Sequence, residues 1–137
     1  MEKHSQRVAY GETLVALGAE NQNIVALEAD LGKSTMSAMF QQAYPQRYFE
    51  MGIAEANMLS TAAGLAASGK IPFCSTFAVF ASGRAYDQIR QTIAIGNLNV
   101  KICGSSSGLS DFGCGSTQPA VEDVAIMTAI PQLTVFH

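Results

Sequence analysis

The chain has 137 residues, of which 48% are hydrophobic and only 14% are charged. This length suits a single domain, and the composition excludes a disordered tail and a highly charged coiled coil. Eight Lys and Arg residues against eleven Asp and Glu residues give a formal net charge of −3. Nucleic-acid binding is disfavoured, because a phosphate backbone attracts basic surfaces.

The N-terminus and the cysteines bear on where the protein works. Residues 1–7 are polar and lead into no apolar signal-peptide core, and no stretch approaches the roughly 18 apolar residues of a membrane span. Cys74, Cys103 and Cys114 lack the spacing of a disulfide framework or a zinc site. We therefore expect a soluble cytoplasmic protein with no membrane contact and no metal site in this chain.

Hydrophobic periodicity in the first half of the chain predicts helices and strands in alternation. Apolar residues at near-helical spacing mark the helices, and short apolar or aromatic runs that end in polar loops mark the strands. The predicted elements are a helix over 7–19 capped by Ser5, a strand over 24–27, a short helix over 37–43, a strand over 47–51 and an Ala/Gly-rich helix over 54–67.

The second half continues the alternation. The predicted elements are a strand over 71–77, a helix over 80–95, a strand over 99–103, a Gly/Ser-rich loop over 104–118, a helix opened by Pro119, and a fifth strand over 133–136. Alternating strands and helices predict an α/β fold, a three-layer sandwich with a mainly parallel sheet and helices on both faces. Functional side chains should then gather at the carboxyl ends of the strands.

Several consecutive sequence blocks resemble one enzyme family. They are residues 48–58, 62–66, 69–73, 76–80, 84–90, 99–102, 108–109 and 122–123. In this order they closely resemble the pyrimidine-binding domain of transketolase-like thiamine diphosphate enzymes. The resemblance covers nearly the whole chain and implies that residues 1–137 form one such domain, without the family's diphosphate-binding and C-terminal domains.

The resemblance implies a cofactor shared between two domains. This chain would hold the aminopyrimidine ring of thiamine diphosphate, while a diphosphate-binding subunit or domain would hold the phosphates and Mg²⁺. The chain has no Gly-Asp-Gly motif of the kind that the diphosphate-binding domain carries. We therefore expect one piece of a split or truncated enzyme, active only with its partner in a homo- or hetero-oligomer.

Glu55 is the candidate catalytic residue. By resemblance its carboxyl group hydrogen-bonds a ring nitrogen of the aminopyrimidine and favours the imino tautomer, whose nitrogen can accept the thiazolium proton. A carboxyl group in an apolar cleft keeps its proton at higher pH, which suits that role. The alternative is an acidic residue that only stabilises a helix N-terminus.

Three further residues are candidate cofactor contacts. By resemblance Phe77 and Phe80 form an aromatic pair, with Phe80 the better candidate for stacking on the pyrimidine, and Ile53 lies beside the cofactor. Ring stacking adds about 0.5–1.5 kcal/mol beyond area burial. The alternative for both phenylalanines is ordinary core packing. A third aromatic residue that many transketolases carry is replaced by Gly83.

Other residues resemble the family's substrate-binding positions. Arg84 corresponds to an arginine near the substrate phosphate, which a guanidinium can bind in bidentate fashion; an ion pair with Asp87 is its alternative. Asp30 and Ser34 correspond to a segment near cofactor or substrate, and capping of the next helix is their alternative.

The Gly/Ser-rich loop departs from the family pattern. Many transketolases carry histidine, aspartate and histidine where Ser106, Cys114 and Gln118 stand in this chain. All three replacements remove charge or acid–base capacity, although Ser106 and Gln118 remain candidate substrate contacts. Glycine-rich backbone can still present N–H groups to an anion, and a mobile loop tip is the alternative.

The resemblance implies a transferase that moves a two-carbon ketol unit between sugar phosphates. One alternative is a component of a deoxyxylulose-phosphate-synthase-like enzyme, because that branch shares the block 84–88. Another is a non-catalytic truncated domain that serves assembly. An unrelated nucleotide-binding domain would need a Gly-rich turn after the first strand, and residues 30–33 lack its glycine spacing.

Overall fold

The computed structural model describes residues 5–110 and 112–137. Its centre is one sheet of four parallel strands, which are Ile24–Glu28 (β1), Tyr48–Glu50 (β2), Ile71–Phe77 (β3) and Lys101–Ser105 (β4). The strand order across the sheet is β2-β1-β3-β4. All residues of β1 are buried, as expected of an inner strand covered on both faces.

In the described part of the chain, seven α-helices connect or flank the strands. They are Gln6–Glu20 (α1), Gly32–Thr35 (α2), Ala38–Ala43 (α3), Glu55–Ala67 (α4), Ala78–Arg84 (α5), Tyr86–Gln88 (α6) and Asp123–Thr128 (α7). Short 3-10 segments lie at Pro45–Arg47 and Phe112–Thr117, and a π-helix spans Ile89–Ala94. The alternation confirms the α/β prediction.

Two hydrophobic clusters, one on each face of the sheet, hold the layers together. On one face Leu27 and Cys74 pack with Met58 and Leu59 of α4 and with Ile89 of the π-helix. These side chains are fully buried, and each contributes about 1.5–3 kcal/mol relative to an exposed position.

The second cluster joins α1 and α3 to the opposite face. Its buried members are Leu14, Ile24, Ala26, Phe40 and Tyr48. Ile24 and Ala26 alternate with Val25 and Leu27 of the first cluster, as the two-residue period of a strand requires. The predicted three-layer sandwich is therefore confirmed.

The predicted helix over 80–95 is interrupted. Ala85 has φ −117° and ψ 14°, outside helical geometry, and separates α5 from α6. The physical reason is a change of packing partner: α5 lies over β4, whereas the buried Ala85 and Ile89 belong to the cluster with α4. The chain has to change direction between them.

The predicted fifth strand over 133–136 is absent from the sheet that the described residues form. The alternation persists, because Leu133 and Val135 are half-buried while Thr134 and Phe136 are exposed. A strand needs a neighbour for its backbone hydrogen bonds. Here the segment and β4 line an open cavity of about 460 Å³ instead of pairing.

Several predicted boundaries shift. The 47–51 and 99–103 predictions become β2 and β4, and the first of these shortens because Arg47 still belongs to a 3-10 turn. Pro119 does not open a helix, because Ala120 pairs with Gly108 in an isolated bridge and α7 begins later. Ser5 precedes α1, but its side chain makes no capping hydrogen bond.

The described residues contain neither a membrane-spanning helix nor a cluster of metal-ligating side chains. No helix there is long and apolar enough to cross a lipid bilayer. No group of three or more His, Cys, Asp or Glu side chains in the described part of the chain is placed to hold a metal ion.

Candidate active site

The candidate residues gather at one edge of the sheet because all four strands are parallel. Asp30 follows β1, Glu55 lies just beyond β2, Phe77 ends β3, and Ser106 follows β4. The carboxyl ends of parallel strands share an edge, which is where open α/β sheets bind ligands. The candidate residues therefore lie at the edge where the sequence predicted functional side chains.

Glu55 is the first residue of α4 and is buried, with 2% of its surface exposed. The chain reaches it through Gly52, whose φ of +68° lies in the left-handed region that glycine adopts without strain. A carboxylate at the start of a helix is favoured by the unpaired N–H groups there. Burying a charged group is costly unless the charge is paired, so the buried carboxylate needs a partner.

The partner of Glu55 is Arg84, at the last residue of α5. Its Nη1 donates hydrogen bonds to Glu55 Oε1 at 2.9 Å and to Oε2 at 3.1 Å. The predicted alternative, an ion pair between Arg84 and Asp87, is wrong in this structure, since the salt bridge of Arg84 is with Glu55. The Arg84 side chain is 48% exposed and that of Glu55 is 2% exposed. The ion pair therefore joins a buried carboxylate to a guanidinium that reaches solvent.

The two candidate aromatic residues lie beside this pair. Phe77 and Phe80 are stacked, with ring centroids 5.9 Å apart and planes inclined by 22°. Phe77 is buried, whereas Phe80 is half-buried, so Phe80 has more surface available to a ligand. The Arg84 guanidinium carbon lies 4.0 Å from the Phe80 ring centroid, a cation–π contact.

Two other predicted residues, Ile53 and Asp30, lie on loops at the same edge. Ile53 is 72% exposed. Asp30 is exposed, and its backbone N–H donates to Glu50 Oε1, which also accepts the Gly52 N–H. This shared acceptor ties the loop after β1 to the turn that leads to Glu55.

Asp30 and Ser34 do not cap helices. The residue that precedes α2 is Leu31, and neither α2 nor α3 has a side-chain capping hydrogen bond. Ser34 instead accepts a hydrogen bond from Arg7 through its backbone carbonyl. The capping alternative for these two residues is therefore wrong.

The Gly/Ser-rich loop lies at the β4 side of the edge. Ser106 has φ +57° and is half-buried, and Gln118 is also half-buried. Ser107 donates a hydrogen bond of 2.7 Å to Asp123 Oδ2, which ties the loop to α7. Among the described residues, no hydrogen bond or ion pair joins Asp30, Ser34, Ser106 or Gln118 to the Glu55 carboxylate.

Two features escaped the sequence analysis. The contact between Glu55 and Arg84 joins residues 29 positions apart, and only the strand order brings them together. Thr76 has a buried hydroxyl without a hydrogen-bond partner among the described residues. It shares a sheet face with Cys74, whose cluster includes α4. An unpaired buried hydroxyl lowers the stability of the fold by about 1–3 kcal/mol. The local sequence does not predict it.

Comparison with known proteins identifies the family. Residues 2–137 match the family described as "Transketolase, pyrimidine binding domain". The chain belongs to this family. It is 49% identical over 129 residues to the putative transketolase C-terminal section of Methanocaldococcus jannaschii, covering 94% of this chain and 41% of that protein.

Two further comparisons place the domain within the transketolases. It is 43% identical over 137 residues to the 6-deoxy-6-sulfo-D-fructose transketolase subunit SqwH of Clostridium sp. strain MSTE9, covering 100% of this chain and 42% of that protein. A solved structure titled "Split gene transketolase, inactive beta4 tetramer" superposes with a TM-score of 0.78 at 52% identity, covering 91% of this chain and 40% of that one. The domain thus spans about two-fifths of the length of these relatives.

The described residues fit the pyrimidine half of thiamine diphosphate. A buried carboxylate and a half-buried aromatic ring that contact the same guanidinium suit a flat heteroaromatic ring that carries a ring nitrogen, and the unpaired Thr76 hydroxyl leaves polar capacity at the same edge. No described cluster suits a metal ion.

Proposed function

We propose that this chain is the pyrimidine-binding component of a thiamine diphosphate-dependent transketolase-type enzyme. The enzyme transfers a two-carbon ketol unit between sugar phosphates and works only with a diphosphate-binding partner. The observation that carries the proposal is the buried carboxylate of Glu55, which the Arg84 guanidinium joins to the Phe80 ring, in a chain of this family.

Each residue of the cluster has a distinct role in the proposal. Thiamine diphosphate supplies, when bound, the nucleophilic carbon that carries the ketol unit. Glu55 binds a ring nitrogen of the pyrimidine and holds a shared proton there. Phe80 offers its face to the ring, Phe77 supports Phe80 from within the core, and Ile53 covers the ring from the loop before α4.

The partner is proposed to bind the diphosphate and Mg²⁺. This agrees with the length of the relatives, which are more than twice as long as the chain. Large apolar side chains are also exposed on loops at the carboxyl edge, with Ile53 72%, Leu109 70% and Val121 76% exposed. Exposed apolar side chains of this size suit a surface that another subunit covers.

Substrate recognition is proposed for the loops around the same edge. Asp30, Ser34, Ser106 and Gln118 offer short polar side chains, which suit sugar hydroxyl groups. A relative that shares 43% identity is named for a sulfonated sugar. The acceptor and donor of this protein are accordingly proposed as sugars with an anionic end, in keeping with the proposed sugar phosphates.

Two alternatives are less well supported. A deoxyxylulose-phosphate-synthase-like activity rests on the block 84–88, whereas the relatives compared above are named as transketolases. A purely structural domain has no need of the buried Glu55 carboxylate at this edge. We therefore retain the transketolase proposal.

The test is to isolate the protein with its native partner and to assay Mg²⁺- and thiamine diphosphate-dependent ketol transfer. Substituting Glu55→Gln keeps the size of the side chain but removes the acid. Turnover should fall by about 10²- to 10⁴-fold, the usual contribution of a positioned acid or base. The control is Glu12→Gln, since Glu12 is exposed on α1.

The outcomes separate the alternatives. Activity in the assembled protein that Glu55→Gln abolishes and Glu12→Gln preserves supports the proposal. Pyruvate-dependent decarboxylation would instead favour the deoxyxylulose-phosphate-synthase-like alternative. Full turnover of the Glu55→Gln protein would refute the role of Glu55.

A further inference from the structure

Arg84 covers both surfaces that the proposed function assigns to the pyrimidine. Its Nη1 lies within hydrogen-bond distance of both carboxylate oxygens of Glu55. Its guanidinium carbon also lies 4.0 Å from the Phe80 ring centroid. A planar ring that stacked on that face and hydrogen-bonded Glu55 would need the space that the guanidinium occupies.

The guanidinium resembles an aminopyrimidine edge in the relevant chemistry. Both are planar, both present N–H donors in their plane, and both stack on an aromatic face. Among the described residues, Arg84 is the only one whose side chain hydrogen-bonds the Glu55 carboxylate. It therefore supplies the partner that a buried carboxylate requires.

Arg84 is also placed to leave. Its side chain is 48% exposed, whereas that of Glu55 is 2% exposed. Arg84 ends α5, next to the non-helical Ala85. The long arginine side chain can rotate into solvent while the Glu55 carboxylate stays in place, because Glu55 is held within the α4 layer.

We propose that Arg84 is a placeholder for the aminopyrimidine, and that cofactor binding exchanges the Arg84–Glu55 contact for a pyrimidine–Glu55 contact. The inference rests on the proposed function. Arg84 then keeps Glu55 ordered before the cofactor arrives, and it competes with the cofactor for the same two oxygens. The exchange weakens pyrimidine binding, because a contact has to break before the new one forms.

The test compares the wild-type protein with Arg84→Met, which keeps a long apolar stem against Phe80 but removes the donors and the charge. The probe is 4-amino-5-hydroxymethyl-2-methylpyrimidine, and its dissociation constant is measured by NMR titration. Arg84→Met should bind it at least about fivefold more tightly, since no contact is lost on binding. Arg90→Met is the matched control, because Arg90 is exposed on the following π-helix and should leave the affinity unchanged.

A second measurement needs no substitution of Arg84. In the wild-type protein the guanidinium ¹⁵N resonances of Arg84 should move on addition of the probe, toward the values that they have in a Glu55→Gln protein. This spectroscopic change reports release of the side chain directly. It therefore tests the exchange even where Arg84→Met lowers the stability of the fold.

The outcomes distinguish the inference from the function on which it rests. If Glu55→Gln abolishes probe binding but Arg84→Met binds no more tightly than wild type, the placeholder role is overturned and the proposed function stands. Unchanged Arg84 resonances in a protein saturated with probe overturn it as well. If Glu55→Gln leaves probe binding intact, or neither protein binds the probe, both proposals fail.

Discussion

A single residue, Glu55, connects the sequence to the proposed chemistry. Its flanking block resembles the family, its place at the start of α4 buries it, and Arg84 supplies its partner. The resemblance can be read from the sequence, and the burial can be read from it in part. The Arg84 partner cannot, because Arg84 lies on a different element and local spacing suggested only an ion pair with Asp87.

Tyr10 provides a prediction about pH. Its hydroxyl lies 2.7 Å from Ser75 Oγ, between α1 and β3, and burial raises the Tyr10 pKa well above its ordinary value of 10.0. The folded protein then keeps this proton above pH 10, while the unfolded chain releases it. Stability is therefore complete below the unfolded pKa and falls as the pH rises beyond it.

The measurement is urea denaturation between pH 8 and 11. From pH 10 to 11 the wild-type protein should lose about 1 kcal/mol more of its free energy of unfolding than Tyr10→Phe does. Burial also raises the pKa of the Cys74 thiol, so some alkaline loss should persist in the variant. Identical pH profiles of the two proteins would show that Tyr10 ionises freely in the fold.

At the scale of elements, two helical glycines differ in the space around their Cα atoms. A Cβ on Gly18 of α1 would lie 2.6 Å from Phe40 Cε2 and 2.8 Å from Tyr44 Cε2. A Cβ on Gly64 of α4 would meet nothing within 4 Å. Gly18 thus permits close packing of α1 on α3. Gly64 lowers the stability of α4 at an exposed position where this chain leaves room for a side chain.

The two Gly→Ala variants should therefore differ in sign. Gly18→Ala should lower the free energy of unfolding by about 1–3 kcal/mol through overpacking. Gly64→Ala should raise it by up to about 1 kcal/mol through helix propensity. The measurement is the urea midpoint of each variant, which reports the change in free energy of unfolding when the denaturation slope is unchanged. A stabilised Gly18→Ala protein would contradict the α1–α3 contact.

Elements that have a clear hydrophobic pattern in their own sequence were predictable. Features that depend on packing against other elements were not. The helix α4 and the strand β3 lie within a residue of their predicted bounds, because apolar runs and turn residues delimit them locally. The break at Ala85 arises from a change of packing partner. The missing strand over 133–136 has a suitable alternation but lacks a neighbour to pair with. Neither event has a signal in the local sequence.

At the scale of the whole molecule, the candidate site lies at one edge of the domain. Arg84 joins two of its residues, since the guanidinium contacts both the Glu55 carboxylate and the Phe80 ring. Large apolar side chains are exposed at the same edge, and we propose that a partner covers them. The sequence predicts such a partner only through family resemblance, because no local pattern indicates one.

An experimental structure of the assembled protein with thiamine diphosphate tests the proposed site most directly. We expect the pyrimidine ring to stack on Phe80 and the Glu55 carboxyl group to hydrogen-bond one of its ring nitrogens. We also expect the diphosphate and Mg²⁺ to contact the partner. A pyrimidine bound away from Glu55, or a diphosphate held by this chain, would refute the proposed site.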